Sequence, residues 1–160
     1  MIDAGSVATR GTCTPGSAAG FTLVEVLVAL VVMAVGLLGI AALYVEGLRA
    51  GRTAGYRSAA VTLAADMADR IRANPGGAYA GAGPGANNGC VNGGVDCEPD
   101  EMARDDWFRW LGDLQRRLPT GATANVEIQD LAPITQFVIT VSWPEIGQDE
   151  PVSYTLALQL

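Results

Sequence analysis

Gly20–Val45 reads GFTLVEVLVALVVMAVGLLGIAALYV, and from Phe21 to Val45 it holds 25 residues with one charge, Glu25. At 1.5 Å of rise per residue, a helix of that length covers roughly 37 Å, enough to span a hydrocarbon core about 30 Å thick with some tilt. In lipid such a run has to be helical, because each backbone N–H and C=O must find its partner within the segment. The stretch therefore predicts a membrane-inserted helix near the N-terminus, and the remaining residues are arranged around it.

Glu25 is the residue that a plain anchor does not explain. A carboxylate five residues into an apolar helix costs roughly 2–4 kcal/mol near the bilayer centre and less near the interface. One reading is an interfacial carboxylate at a helix N-terminus, where the macrodipole favours negative charge. The other is that Glu25 awaits a cationic partner. The residues Gly20-Phe21-Thr22-Leu23-Val24-Glu25, followed directly by the apolar run, resemble the class III signal of type IV pilins and pseudopilins. That resemblance implies that a prepilin peptidase, a membrane aspartyl protease, cuts after Gly20 and methylates the new amino group of Phe21. It also implies that Glu25 pairs with the N-terminal amine of a neighbouring subunit during assembly.

Residues 1–20, MIDAGSVATRGTCTPGSAAG, are polar, small and without periodicity, as expected of a leader and not of a fold. The leader departs from the family pattern in its length and in having its one basic residue, Arg10, far from the cut. Arg49, Arg52 and Arg57, just beyond the apolar run, also weigh against an N-terminus-inside topology. The signal and the disulfide expected below outweigh that count. The expectation is one pass through the inner membrane, with the C-terminal part in the periplasm before assembly and at the pilus or cell surface after it.

Beyond Val45 the helical pattern continues. Tyr56, Ala60, Leu63, Met67 and Ile71 recur at three- and four-residue spacing, while Arg57, Asp66, Asp69, Arg70 and Arg72 fall on other faces. Asn74-Pro75-Gly76 ends the run, so a single helix is predicted from about Phe21 to Ala73. Its first half is apolar all round and its second half amphipathic, hence docked on a globular domain. Gly47, Gly51 and Gly55, continued by Ala59, form a small-residue stripe suited to close helix packing. The same glycines soften the helix, by up to about 1 kcal/mol each relative to Ala, and allow it to unwind when subunits pack.

Residues 75–99 are rich in glycine and hold Cys90 and Cys97. Cys13 falls in the leader, which leaves an even pair beyond the membrane helix. In a Gly-rich loop with no core to pack against, a disulfide is preferred over two unrelated small apolar side chains. The pair implies an oxidising compartment such as a periplasm. This loop stands where pilins carry their variable connection between helix and sheet, either touching neighbours or merely tolerated.

A second helix is predicted over Asp100–Leu118. Ala103, Trp107, Trp110, Leu111, Leu114 and Leu118 share one stripe, Asp100 and Glu101 open it, and Arg116 and Arg117 close it in keeping with the dipole. Trp107 and Trp110 are read as core rather than as a binding surface. The last forty residues alternate with period two. Ala124, Val126 and Ile128, then Phe137, Ile139, Val141 and Trp143, then Val152, Tyr154, Leu156, Leu158 and Leu160 mark one buried face of an antiparallel sheet. Pro133, Pro144 and Pro151 fall at the breaks.

The net charge is −7 and every basic side chain is arginine. An acidic surface argues against non-specific nucleic-acid binding. Without histidine the chain lacks the commonest metal ligand and the usual neutral-pH general base. It has no Walker-type loop and no G-x-S-x-G. The acidic residues Glu98, Asp100, Glu101, Asp105 and Asp106 lack the spacing and glycine of a calcium loop and are read as a solvated helix start. No enzyme activity, metal or cofactor is expected.

The organisation expected is α+β and type IV pilin-like: a long N-terminal helix packed on a small antiparallel sheet. Its parts are a leader (1–20), a transmembrane and assembly half-helix (21–45), an amphipathic half-helix (46–74), a disulfide loop (75–99), and a short helix with the sheet (100–160). Ala68-Asp69-Arg70-Ile71-Arg72-Ala73-Asn74-Pro75 resembles the close of the long helix in minor pilins of the PilV type. That family implies a non-enzymatic subunit that primes pilus assembly at or near the tip, with links to adhesion and twitching motility. Its implied partners are the other minor pilins, the major pilin, the prepilin peptidase and the inner-membrane assembly platform. A minor pseudopilin of a type II secretion system shares signal and architecture. A membrane-anchored periplasmic binding domain that never polymerises is the alternative of a different class.

Overall fold

A computed structural model describes residues 20–91, 95–131 and 133–160. The expected leader, apart from Gly20, lies outside the described residues. The elements are α1 (Leu23–Ala73), α2 (Pro99–Arg117), β1 (Thr123–Leu131), β2 (Ile134–Trp143) and β3 (Val152–Gln159). This is the α+β arrangement expected of a pilin-like chain. The residues divide into two units, one ending at Tyr44 and the other, the head, spanning Val45–Leu160.

In the first unit α1 starts two residues later than the apolar run itself. Thr22 stays outside the helix, and its Oγ1 accepts the N–H of Glu25 at 3.2 Å while its carbonyl accepts that of Val26. A threonine oxygen thus satisfies one of the donors that a helix start leaves without an intrahelical partner. From Gly20 through Tyr44 every residue is exposed. Within the head, α1 continues without interruption through Gly47, Gly51 and Gly55, and nothing lies within 4 Å of where a Cβ on any of them would point. The small-residue face is open.

The head core forms where three apolar faces meet. From α1 come Ala60, Leu63, Ala64, Met67, Ala68 and Ile71, and from α2 come Ala103, Trp107, Trp110 and Leu114. The sheet is an antiparallel meander in the order β1-β2-β3. Its register stacks Val126, Ile139 and Leu156 in one row and Ile128, Phe137 and Leu158 in the next. Trp107 and Trp110 meet edge to face with centroids 5.4 Å apart, and the Trp110 Nε1–H donates to the Leu63 carbonyl at 2.9 Å. That bond satisfies the one polar atom of a wholly buried indole and fixes α2 against α1. Two residues assigned to the buried face are half exposed, Ile128 at 43% and Leu160 at 47%. β1 is an edge strand and Leu160 follows the last residue of β3, so each lacks a neighbour on one side.

α2 begins one residue before the predicted Asp100. Glu98 is its N-cap, Pro99 opens the first turn, and the Glu101 carboxylate reaches back to accept the Glu98 N–H at 3.2 Å. Helix α1 ends at Ala73, as Asn74-Pro75-Gly76 predicted.

Candidate functional site

The residues singled out at the N-terminus lie at the mouth of α1. Gly20 and Phe21 precede the helix, Phe21 is 82% exposed, and Glu25 is the acidic residue of the first turn. Among the described residues the Glu25 carboxylate makes no ion pair. Thr22-Leu23-Val24-Glu25 has the spacing of a capping box, and Thr22 supplies its half of the exchange. That spacing was visible in the chain, and the capping role of Thr22 is what the sequence reading passed over. The helix that follows is long and apolar enough to cross a membrane, and the window that qualifies is wholly unburied. A charge at the positive end of the helix dipole is tolerated there, yet the helix itself supplies no cation to neutralise it.

The head carries a second cluster, which sequence reasoning misplaced. Asp105 and Asp106 were expected on a solvated helix start, but both are buried, whereas Asp100 and Glu101 are exposed. The difference is a matter of turn. Asp100 and Glu101 stay exposed on the first turn of α2, even though Asp100 accepts the Ala78 N–H at 2.9 Å, while residues 105 and 106 lie under the loop that crosses the helix. Aspartate is seldom buried without partners, and here both have them. Asp105 accepts the backbone N–H groups of Asn88 at 2.8 Å and Gly89 at 3.0 Å, and the Arg109 Nε–H at 2.6 Å. Asp106 accepts the Tyr79 hydroxyl at 2.6 Å and an Arg70 guanidinium N–H at 2.9 Å. Arg70 also donates to Asp66, one turn earlier on α1, at 3.1 Å.

Burial alone pushes the Asp105 carboxyl up, but the Arg109 bond and charge with the two backbone N–H groups outweigh it, and the group is held below the usual carboxylate range. Tyr79 is raised, first by burial and then by its bond to Asp106. For Arg70, burial works downward and the two aspartates more than reverse it, so the guanidinium stays charged. The (i, i+4) spacings Asp66/Arg70 and Asp105/Arg109 were the available sequence signal. Nothing local signals that a loop descends on them.

Loop residues 79–89 therefore pack against the head, and the premise that the loop has no core to meet is corrected. Tyr79 is fully buried, and its carbonyl accepts the Trp107 Nε1–H at 3.1 Å. Gly81 pairs with Val126 of β1 through two 2.8 Å backbone bonds, at a φ of +112° that favours glycine. Gly85 lies so close to α2 that a Cβ would overlap the Arg104 carbonyl and the Phe108 N–H. Cys90 and Cys97 are joined in a disulfide with Cα atoms 5.8 Å apart. Between the loop and the outer face of α2 runs a groove of about 780 Å³, with Arg70, Val91, Phe108, Arg109, Leu111 and Arg116 among its walls. Among the described residues there is no group of three or more His, Cys, Asp or Glu placed to hold a metal.

Two family models match the chain in succession. The prokaryotic N-terminal methylation motif matches residues 16–41, and the family described as type IV pilin Tt1218 matches residues 42–108. The first takes in Gly20, Phe21 and Glu25, and the second runs from α1 through the disulfide loop into α2. Searches of curated proteins and of solved structures each return no significant match.

Proposed function

Because the chain belongs to the type IV pilin family, a family of structural subunits, we propose that it is a minor pilin of the PilV type. In this reading it is a non-enzymatic subunit that primes pilus assembly and stands at or near the tip, with consequences for adhesion and twitching motility. The prepilin peptidase cuts after Gly20 and methylates Phe21. The subunit then waits in the inner membrane, crossing it once, with its head in the periplasm.

The observation that carries the reading is Glu25, a single carboxylate on the first turn of an otherwise apolar and wholly exposed half-helix. In lipid it costs roughly 2–4 kcal/mol at depth. Beside the N-terminal amine of a neighbour that cost becomes an attraction, strengthened by the low dielectric around it. Extraction from lipid into a bundle of like helices exchanges one apolar environment for another, so the ion pair contributes direction and register. The partners are the other minor pilins, the major pilin and the inner-membrane assembly platform.

Mass spectrometry of the mature chain is expected to find N-methyl-phenylalanine at position 21. Glu25→Ala is expected to insert and fold normally but to be missing from sheared pili. An intact leader, a cut elsewhere, or the variant recovered in pili at the wild-type level overturns the proposal.

A further inference from the structure

Arg49, Arg52 and Arg57 stand just beyond the apolar run, where, counted as a topology signal, they oppose the expected orientation. The structure separates them. Arg57 faces Glu145 of the β2–β3 connection at 3.8 Å, and the Glu145 side chain is 12% exposed, so this arginine belongs to the head. Arg49 lies 3.7 Å from Glu46, longer than a hydrogen bond, with the two side chains 71% and 73% exposed. Such a pair contributes little. Among the described residues Arg52 makes no ion pair.

Around Arg49 and Arg52 the helix is bare. From Val45 through Arg52 every residue of α1 is exposed, and the first buried one is Ala60. Charge is segregated along the chain at the same place. Residues 45–57 hold three arginines and one glutamate, whereas residues 58–160 hold six arginines and fourteen carboxylate side chains. An anionic surface therefore attracts this neck and repels the rest of the head. Distance agrees with charge. At 1.5 Å per residue, Arg49 and Arg52 lie roughly 6 and 10 Å past Val45 along the helix, and the headgroup layer on each side of the hydrocarbon is about 5–7 Å thick. Helical side chains tilt toward the N-terminus, here back toward the apolar run, and the apolar stem of arginine carries its charge to such an interface.

We propose that Arg49 and Arg52 form a binding site for the phosphodiester of an anionic phospholipid, of the phosphatidylglycerol class, in the leaflet that faces the head. A guanidinium donates two parallel N–H bonds to phosphate oxygens, and a spacing of three residues puts the two side chains next to one another on the helix surface. The lipid phosphate fixes the depth of the apolar run, while the acidic head is held off the same surface by its own charge. Leaving the membrane removes the lipid, so both contacts oppose extraction and are released with it. The inference rests on the membrane placement in the proposed function and goes beyond it by naming a ligand and the residues that take it.

The test uses the full chain reconstituted in nanodiscs of phosphatidylcholine and phosphatidylglycerol in equal amounts, with the lipid that stays bound on release counted by native mass spectrometry. Wild type is expected to retain phosphatidylglycerol in preference to phosphatidylcholine. Arg52→Gln lowers that preference about fivefold, and Arg49→Gln with Arg52→Gln abolishes it. Arg117→Gln, at an exposed arginine of the head, leaves it unchanged. All three substituted side chains are exposed, so the fold is retained. No preference in wild type, an unchanged preference in the double variant, or an equal loss in Arg117→Gln overturns the inference. Insertion into discs of phosphatidylcholine alone reports on the apolar span by itself. A chain that inserts there but shows no preference in the mixed discs keeps the membrane placement and loses this site, and one that fails to insert overturns both.

Discussion

Replacing Asp105 by alanine strands three donors at once: the N–H groups of Asn88 and Gly89 and the Nε–H of Arg109. Hydrogen bonds to a charged acceptor contribute about 1.5–3 kcal/mol each. Arg109 is one-third exposed and regains water, so its share is discounted. The two backbone groups, part buried on the inner side of the loop, carry most of the loss. A cost of about 2–4 kcal/mol follows, and for a head of this size it lowers Tm by about 8–16 °C. The control is Asp113→Ala, whose partner Arg116 is 71% exposed and whose removal costs about 0.5 kcal/mol or less. Circular dichroism melts of the full chain in detergent measure both. The carboxyl of Asp105 is depressed in the folded state. Its contribution is therefore present above the unfolded carboxyl pKa, about 3.9, and is lost as pH falls through the lower folded value. Wild type should lose Tm across that acid range, and Asp105→Ala should lack that part of the slope. A variant melting within about 2 °C of wild type, or one with an unchanged acid slope, refutes the claim that Asp105 pins the loop.

Three further outcomes rest on the same head. Trp110→Ala removes a wholly buried indole and its bond to the Leu63 carbonyl, and a loss of about 3–5 kcal/mol should bring steady-state levels down sharply in immunoblots. Gly85→Ala forces a methyl against the backbone of α2 and should cost about 1–3 kcal/mol by chemical denaturation, with overpacking as the cause. Opening the disulfide by Cys90→Ser with Cys97→Ser frees a loop closed over a separation of seven residues; the melt should fall by the equivalent of about 2 kcal/mol, and dithiothreitol should lower wild type but not the double variant.

The type and order of the elements are legible in the sequence because each rests on local regularity. The 3.6-residue recurrence of Ala60, Leu63, Met67 and Ile71 and the period-two alternation of Phe137, Ile139, Val141 and Trp143 name a helix and a strand wherever they occur, and these residues are buried. Burial of Trp107 and Trp110 followed from the α2 stripe they share with Ala103, Leu111, Leu114 and Leu118. Boundaries moved by one or two residues where a cap decided them, at Thr22 and Glu98. The acidic cluster was misread because exposure was judged from charge alone. Asp100 and Asp105 are the same residue type on the same helix and both accept loop N–H groups, but only Asp105 is covered by the loop.

By itself, the order of residues determined that an apolar helix lies near the N-terminus, that one carboxylate interrupts it, and that a second helix and the strands of an antiparallel sheet follow. Those properties depend on neighbours within a turn or on alternate positions of a strand, so the chain carries them without reference to its fold. Only the tertiary structure decided that the glycine-rich loop is anchored, with Tyr79 in the core, Gly81 on β1, the buried Asp105 receiving two of its N–H groups and the buried Asp106 its Tyr79 hydroxyl. It likewise decided that arginines scattered along the chain gather at one groove. The bonds that Asp105 receives from the loop join residues sixteen and seventeen positions apart, and no local periodicity encodes which distant backbone will reach a given side chain.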